Sequence, residues 1–187
     1  MNLKKFKKIA IFSEKGGVGK TTLAHSLARD LEYNYVTNDQ SIVTKIYSKA
    51  RYIPKKIKLQ DNTLYDFGGF KSEYANEILK EVDVILIPTT LDSNSIMKTM
   101  NTYKQYRNKK IYLIANNFET IKEGKKLQEV LSKLFSEVEI LFMRKTKLLK
   151  NAMESGVSAK DLYNSNKSTQ YLYQNGFNDY NKILKSL

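Results

Sequence analysis

Apolar residues along the chain fall into short blocks, separated by stretches in which they recur every three or four positions. Lys8–Ser13, Tyr35–Asn38, Thr63–Phe67, Val82–Pro88, Ile111–Asn116 and Glu139–Met143 read as strands, and several are apolar almost throughout, as strands covered on both faces should be. Lys20–Glu32, Glu73–Glu81, Ser95–Tyr106 and Ile121–Phe135 carry the helical period, and the chain from Lys147 onward reads as helical. In Ile121–Phe135 the stripe Leu127, Val130, Leu131 and Leu134 predicts one buried face. This alternation predicts an α/β fold with a mainly parallel, doubly wound sheet flanked by helices on both faces. Only two prolines, Pro54 and Pro88, and no repeat or Gly-rich linker interrupt it, so a single domain over residues 1–187 is expected.

Hydrophobic residues at 41% and charged residues at 27% have the balance of a globular domain. Zero cysteines exclude disulfide frameworks, thiol nucleophiles, thiolate metal sites and iron–sulfur clusters. The lone histidine, His25, leaves no second imidazole for a metal cluster and is expected to pack within its helix. No run approaches the roughly 18 apolar residues of a membrane span. The basic start of MNLKKFKKIAIFS leads through a short apolar stretch straight into glycines, unlike a signal peptide, and a cytoplasmic location is expected. Against that background, 32 Lys+Arg and 19 Asp+Glu give a net charge of +13, which fits a polyanionic partner. The chain is also rich in Asn, Ile and Tyr, favoured together with Lys by AT-rich coding, so a compositional reading of the charge stays open beside it.

The first predicted strand runs into Glu14-Lys15-Gly16-Gly17-Val18-Gly19-Lys20-Thr21-Thr22 and then a helix, which is the context of a phosphate-binding loop. Glycines let successive N–H groups converge on phosphate oxygens, and the helix presents its positive end. Lys20 is placed to neutralise β/γ-phosphates and the Thr21 hydroxyl to ligate Mg²⁺.

KGGVGKTT, with its extra Lys15, resembles the deviant Walker A loop of the ParA/MinD superfamily of ATPases. The resemblance runs from about Ile9 to the C-terminus, and its specificity lies mostly in this first motif. It implies an ATP- and Mg²⁺-dependent homodimer in which Lys15 reaches the partner's phosphates, much as an arginine finger does. Asp66, followed by Gly68-Gly69, matches the Walker B position and implies a metal role. Asp39 resembles the last Asp of the family's DxDPQ motif and implies a role in orienting the attacking water. Thr37 stands where that motif begins with Asp and Gln40 where it has Pro, so slow hydrolysis is expected. VDVILIPTTLDSNS resembles the family's fourth strand and switch-like loop. Asn116, or else Asn117, takes the place of the Asn that reads adenine. Phe142-Met143 replaces the usual Ile-Pro beside the base.

Among superfamily members, nitrogenase iron proteins need cysteines that this chain lacks. A MinD-like membrane grip would use the tail NDYNKILKSL, whose Tyr180, Ile183, Leu184 and Leu187 form a short stripe; the stripe is expected to pack on the domain instead. The favoured expectation is a small ParA-type partition ATPase, nucleoid-associated, that binds DNA nonspecifically and answers to a ParB-like adaptor. Only eight residues precede Ile9, so no N-terminal DNA-binding module is expected. Arg144, Lys145, Lys147 and Lys150 form a run without an acid where the family contacts DNA, and Lys167 and Lys182 extend it. A second acid-free group is Lys49, Arg51, Lys55, Lys56 and Lys58, in a predicted loop. A P-loop metabolic synthetase or kinase is the reading from another class; it calls for a second constellation of substrate groups.

Overall fold

In a computed structural model, which describes residues 5–54, 57–68 and 73–187, the six apolar blocks become strands and a seventh forms among them. They are β1 (Lys8–Phe12), β2 (Asn34–Thr37), β3 (Ala50–Tyr52), β4 (Thr63–Phe67), β5 (Val84–Thr89), β6 (Lys110–Phe118) and β7 (Glu139–Arg144). Between them lie α1 (Lys20–Asp30), α2 (Val43–Ile46), α3 (Glu73–Glu81), α4 (Ser93–Tyr106) and α5 (Ile121–Leu134), followed by α6 (Leu148–Glu154), α7 (Ala159–Asn164) and α8 (Lys167–Ser186). The strands form one sheet in the order β3-β2-β4-β1-β5-β6-β7, and every pairing is parallel.

Strand alternation sorts the core into two layers. Ile9, Ile11, Tyr35, Leu64 and Leu86 face Leu23 and Leu27 of α1, Leu148 of α6, and Tyr180 and Ile183 of α8. Ala10, Phe12, Tyr65, Phe67 and Ile87 face Leu79 of α3 and Leu127 and Leu131 of α5. Because both faces are covered, all of β4 and β5 is buried. Each large side chain buried this way contributes about 1.5–3 kcal/mol relative to exposure.

Connections from β1 and β4 leave toward opposite sides of the sheet, since β1 leads to β2 while β4 leads across β1 to β5. The crevice at the carboxyl end of β1 therefore sits at a topological switch point, where open α/β sheets place their ligands.

Two sequence expectations need correction. The stretch read as a loop around Pro54 contains β3 and is preceded by α2; both are too short and too polar to show a period, because β3 is an edge strand. On α5 the buried stripe is Gly124, Leu127 and Leu131, continued by Phe135; Val130 is only half-buried and Leu134 is 43% exposed. Gly124 suits this rotation: a Cβ there would lie 3.0 Å from the Phe118 ring, which would have to give by a few tenths of an ångström. The tail stripe packs as expected, with Tyr180, Ile183 and Leu187 in the core and Leu184 against it. No helix among the described residues is long and apolar enough to cross a membrane.

Candidate functional site

The turn between β1 and α1 depends on two left-handed glycines, Gly17 at φ 76 and Gly19 at φ 83, a region costly for other residues. Gly19 is also the N-cap of α1 and provides no side-chain cap, leaving the helix's first N–H groups and its positive end to a ligand. Lys20 follows, 9% exposed, and its Nζ donates to the Lys15 carbonyl at 3.0 Å. Burial lowers its pKa, while the carboxylates of Asp66 and Asp39 pull it back up and Lys98 lowers it further.

A cleft of about 370 Å³ opens here, lined by Gly16, Gly17, Gly19, Lys20, Thr21, Thr22, Asp39, Asp66 and Gly68. Asp66 is 3% exposed. Burial pushes its carboxyl above the usual range; the Tyr35 and Thr21 hydroxyls and the Lys20 ammonium oppose that, and Asp39 adds to it. Tyr35, wholly buried on β2, donates to Asp66 Oδ2 at 2.5 Å. Asp39 lies past the end of β2, exposed at the rim, with its backbone N–H donating to Thr37 Oγ1 at 3.0 Å. Thr37, in place of an acid, thus shapes the Asp39 turn. The Asn38 side chain accepts from the Gly68 N–H at 2.9 Å and ties that turn to the end of β4. Gly69, the second glycine after Asp66, lies outside the described residues.

No group of three or more His, Cys, Asp or Glu that could hold a metal occurs among the described residues. The donors that do converge, the Thr21 hydroxyl and the Asp66 carboxylate, are hard oxygens that fit Mg²⁺, which takes one or two protein ligands and completes its shell with phosphate and water.

Lys15 turns away from this cleft, with Nζ 3.8 Å from Asp92 Oδ1. Asp92 is the N-cap of α4: it accepts from Ser95 N at 2.9 Å and from Thr90 Oγ1 at 2.5 Å. These hydrogen bonds, more than Lys15 itself, hold its carboxyl below the usual range. From the next turn of α4, Lys98 donates to the Glu14 carbonyl at 3.1 Å. Sequence reading missed Lys98 and Tyr35. The first sits in no motif, and the second reads as an ordinary core residue.

Beside the glycine loop, a smaller pocket of about 110 Å³ is lined by Val18, Thr22, Asn116, Asn117, Met143, Arg144, Lys145, Thr146 and Lys150, among others. Both asparagines lie within β6, which continues through a bulge to Phe118, and do not end it. Asn116 donates its amide to the Val18 carbonyl at 2.6 Å, so its donor is committed to the loop. Asn117 is exposed at φ 63, the left-handed conformation that Asn tolerates.

The first basic run is not acid-free in space. Arg144 makes a forked pair with Asp179, Nε to Oδ2 at 2.6 Å and Nη2 to Oδ1 at 3.3 Å; Lys145 pairs with Glu119, and Lys150 with Glu154 at 3.6 Å. Lys147, Lys167 and Lys182 are exposed and form no ion pair among the described residues. Of the second group, Lys55 and Lys56 lie outside the described residues, while Lys49, Arg51 and Lys58 are exposed.

Residues 9–159 match the sequence pattern of the family described as the CobQ/CobB/MinD/ParA nucleotide binding domain. No curated protein matches the chain by sequence. Among solved structures, a putative plasmid partition protein from Borrelia burgdorferi B31 bound to AMPPNP is similar at TM-score 0.65 and 18% identity, over 96% of this chain and 100% of that one. A complex of a McdA variant from Cyanothece with ATP is similar at TM-score 0.64 and 12% identity, over 92% and 96%. MinD cell division protein from Aquifex aeolicus gives 0.59 and 13%, over 97% of each chain.

Proposed function

Because the chain belongs to the CobQ/CobB/MinD/ParA family of nucleotide-binding domains, we propose that it is a small ParA-like ATPase for plasmid or chromosome partition. The observation that carries this reading is the convergence of Lys20, Thr21, Asp39 and Asp66 in one cleft beneath a loop that also carries Lys15. In this reading ATP lies along Gly16–Thr22, with Lys20 against the β/γ-phosphates and Thr21 and Asp66 holding Mg²⁺. The metal supplies charge neutralisation at the phosphate oxygens. Asp39, at the rim, orients a water for in-line attack. Lys15 moves off Asp92 to the γ-phosphate of a second copy, where its ammonium stabilises charge that develops in the transition state.

The nucleotide-bound homodimer then binds DNA without reading sequence, and a ParB-like adaptor stimulates hydrolysis and release. Such a protein would be cytoplasmic and associated with the nucleoid. Two of the structures it resembles are described as bound to AMPPNP and to ATP, and one as a plasmid partition protein, which supports this reading. A MinD-like membrane grip needs an amphipathic face free to enter lipid, whereas Tyr180, Ile183 and Leu187 are buried in the core.

The direct test is binding to random-sequence duplex DNA with ATP, with ADP and without nucleotide, over a salt series. Stronger binding with ATP is expected. Equal affinity in all three conditions would sink the switch.

A further inference from the structure

The C-terminal cations are partly answered by acids, but the opposite end of the sheet is not. Residues 40–60 contain six Lys and Arg and no Asp or Glu. Four of these cations, Lys45, Lys49, Arg51 and Lys58, lie among the described residues, and all are exposed. Their polar contacts are to neutral groups: Lys49 Nζ donates to the Glu32 carbonyl at 3.2 Å and Arg51 to the Gln60 side-chain amide oxygen. The nearest acid in sequence, Asp61, is held by Lys7 at 3.1 Å and Lys8 at 3.7 Å. Among the described residues β3 pairs only with β2, so its outer side is an edge of the sheet.

This edge is also linked to the nucleotide cleft. The segment that carries the cations begins at Asp39, whose turn is shaped by Thr37 Oγ1, and the Thr37 carbonyl accepts from Ile53 N at 2.8 Å, just past β3. Asp39, at the rim of the cleft, thus sits at the end of the same unit that presents Lys45, Lys49 and Arg51.

We propose that the sheet edge formed by α2 and β3 is the surface that takes duplex DNA, with Lys45, Lys49, Arg51 and the nearby Lys58 on the phosphate backbone. This rests on the DNA-binding reading above and says where that binding occurs. An edge with four cations that form no ion pair among the described residues matches the dense charge of a duplex, and phosphate contacts need no base readout. A lipid surface is the poorer match. α2 is 4 residues long, and the exposed apolar side chains there are Ile42 and Tyr52, which make no face long enough to enter a bilayer.

The test uses the full chain with ATP and Mg²⁺ and measures anisotropy of a labelled random-sequence duplex over a salt series. The triple variant Lys49→Glu/Arg51→Glu/Lys58→Glu is compared with Lys147→Glu/Lys167→Glu/Lys182→Glu. Thermal melts and nucleotide binding check that both are folded. The edge variant is expected to lose affinity by about tenfold or more and the other to stay within about twofold. Alanine at each edge position should make the salt slope shallower by about 0.9 per lost contact. A selective loss in the C-terminal variant, or equal losses in both, overturns the edge assignment while leaving DNA binding standing. Failure of the unmodified chain to bind duplex under any nucleotide condition removes the reading and the inference together. Binding to phosphatidylglycerol vesicles but not to duplex, abolished by the edge variant, would make the edge a lipid contact and overturn the proposal.

Discussion

The Tyr35 hydroxyl donates a 2.5 Å hydrogen bond to Oδ2 of Asp66; both side chains are buried, and Asp66 lines the nucleotide cleft. Burial and the adjacent carboxylate hold the phenol's pKa well above its ordinary value, so Tyr35 is a lasting donor. The bond aims one carboxylate oxygen and opposes the upward push that burial exerts on Asp66.

Tyr35→Phe should therefore destabilise the fold by about 1.5–3 kcal/mol, as expected for a hydrogen bond to a charged group. It should also raise the Mg²⁺ concentration needed for tight nucleotide binding. Urea unfolding and a Mg²⁺ titration of nucleotide affinity check the two effects. Unchanged values in both would mean the bond is idle.

Lys15 and Asp92 are 3.8 Å apart in the single chain. Asp92→Asn keeps a side-chain oxygen to cap α4 but removes the charge that holds Lys15. More dimer is expected at a given ATP concentration, read by analytical ultracentrifugation. Lys15→Ala should keep nucleotide binding and lose dimer-dependent turnover; full turnover in that variant would end the trans role.

Asn116 bonds the Val18 carbonyl at 2.6 Å, which makes it a tie for the glycine loop. Asn116→Ala should weaken ATP and GTP by the same factor, roughly two- to twelvefold for one neutral hydrogen bond. Asn117→Ala should change the ratio of the two affinities. A changed ratio in the Asn116 variant alone would make Asn116 the base reader after all.

His25 is fully buried, accepts from Arg29 Nε at 3.1 Å, and has no partner at Nδ1 among the described residues. Burial, with help from Arg29, lowers its pKa from 6.5 to about 4. Between those values the unfolded chain takes a proton that the folded chain refuses. Its contribution is therefore full above pH 6.5 and is lost as pH falls toward 4, with an upper bound on the order of 3 kcal/mol. His25→Gln should flatten the stability–pH slope over that window, measured by urea unfolding at stepped pH. An unaltered slope would place the acid sensitivity elsewhere.

Gly176 of α8 packs on Thr146, and a Cβ there would fall 2.7 Å from its Oγ1 and 2.9 Å from its Cβ. The clash involves the branched root of Thr146, so overpacking of about 1–3 kcal/mol should outweigh the roughly 1 kcal/mol that alanine contributes to a helix. A lower melting temperature for Gly176→Ala is the expected result; a higher one would mean the loop after β7 yields.

The alternation of strands and helices and the phosphate loop are legible in the order of residues alone, because both rest on neighbours. Residues a turn or a pleat apart decide which face is apolar, and glycine is the residue that takes the left-handed positions at Gly17 and Gly19 at least cost. Residue order did not reveal α2 and β3, since a polar edge strand leaves no periodic trace. Which distant groups face one another was settled by packing. The β2–β4 register brings Tyr35 to Asp66 across 31 positions, packing brings Lys98 to the loop across 84, and Asp179 reaches Arg144 across 35. Three cations of one acid-free run, Arg144, Lys145 and Lys150, are thus paired in space, while Lys45, Lys49, Arg51 and Lys58 at the sheet edge make no ion pair among the described residues. Charge adds through space and is answered by whatever the fold sets within a few ångströms, and linear order carries no record of that.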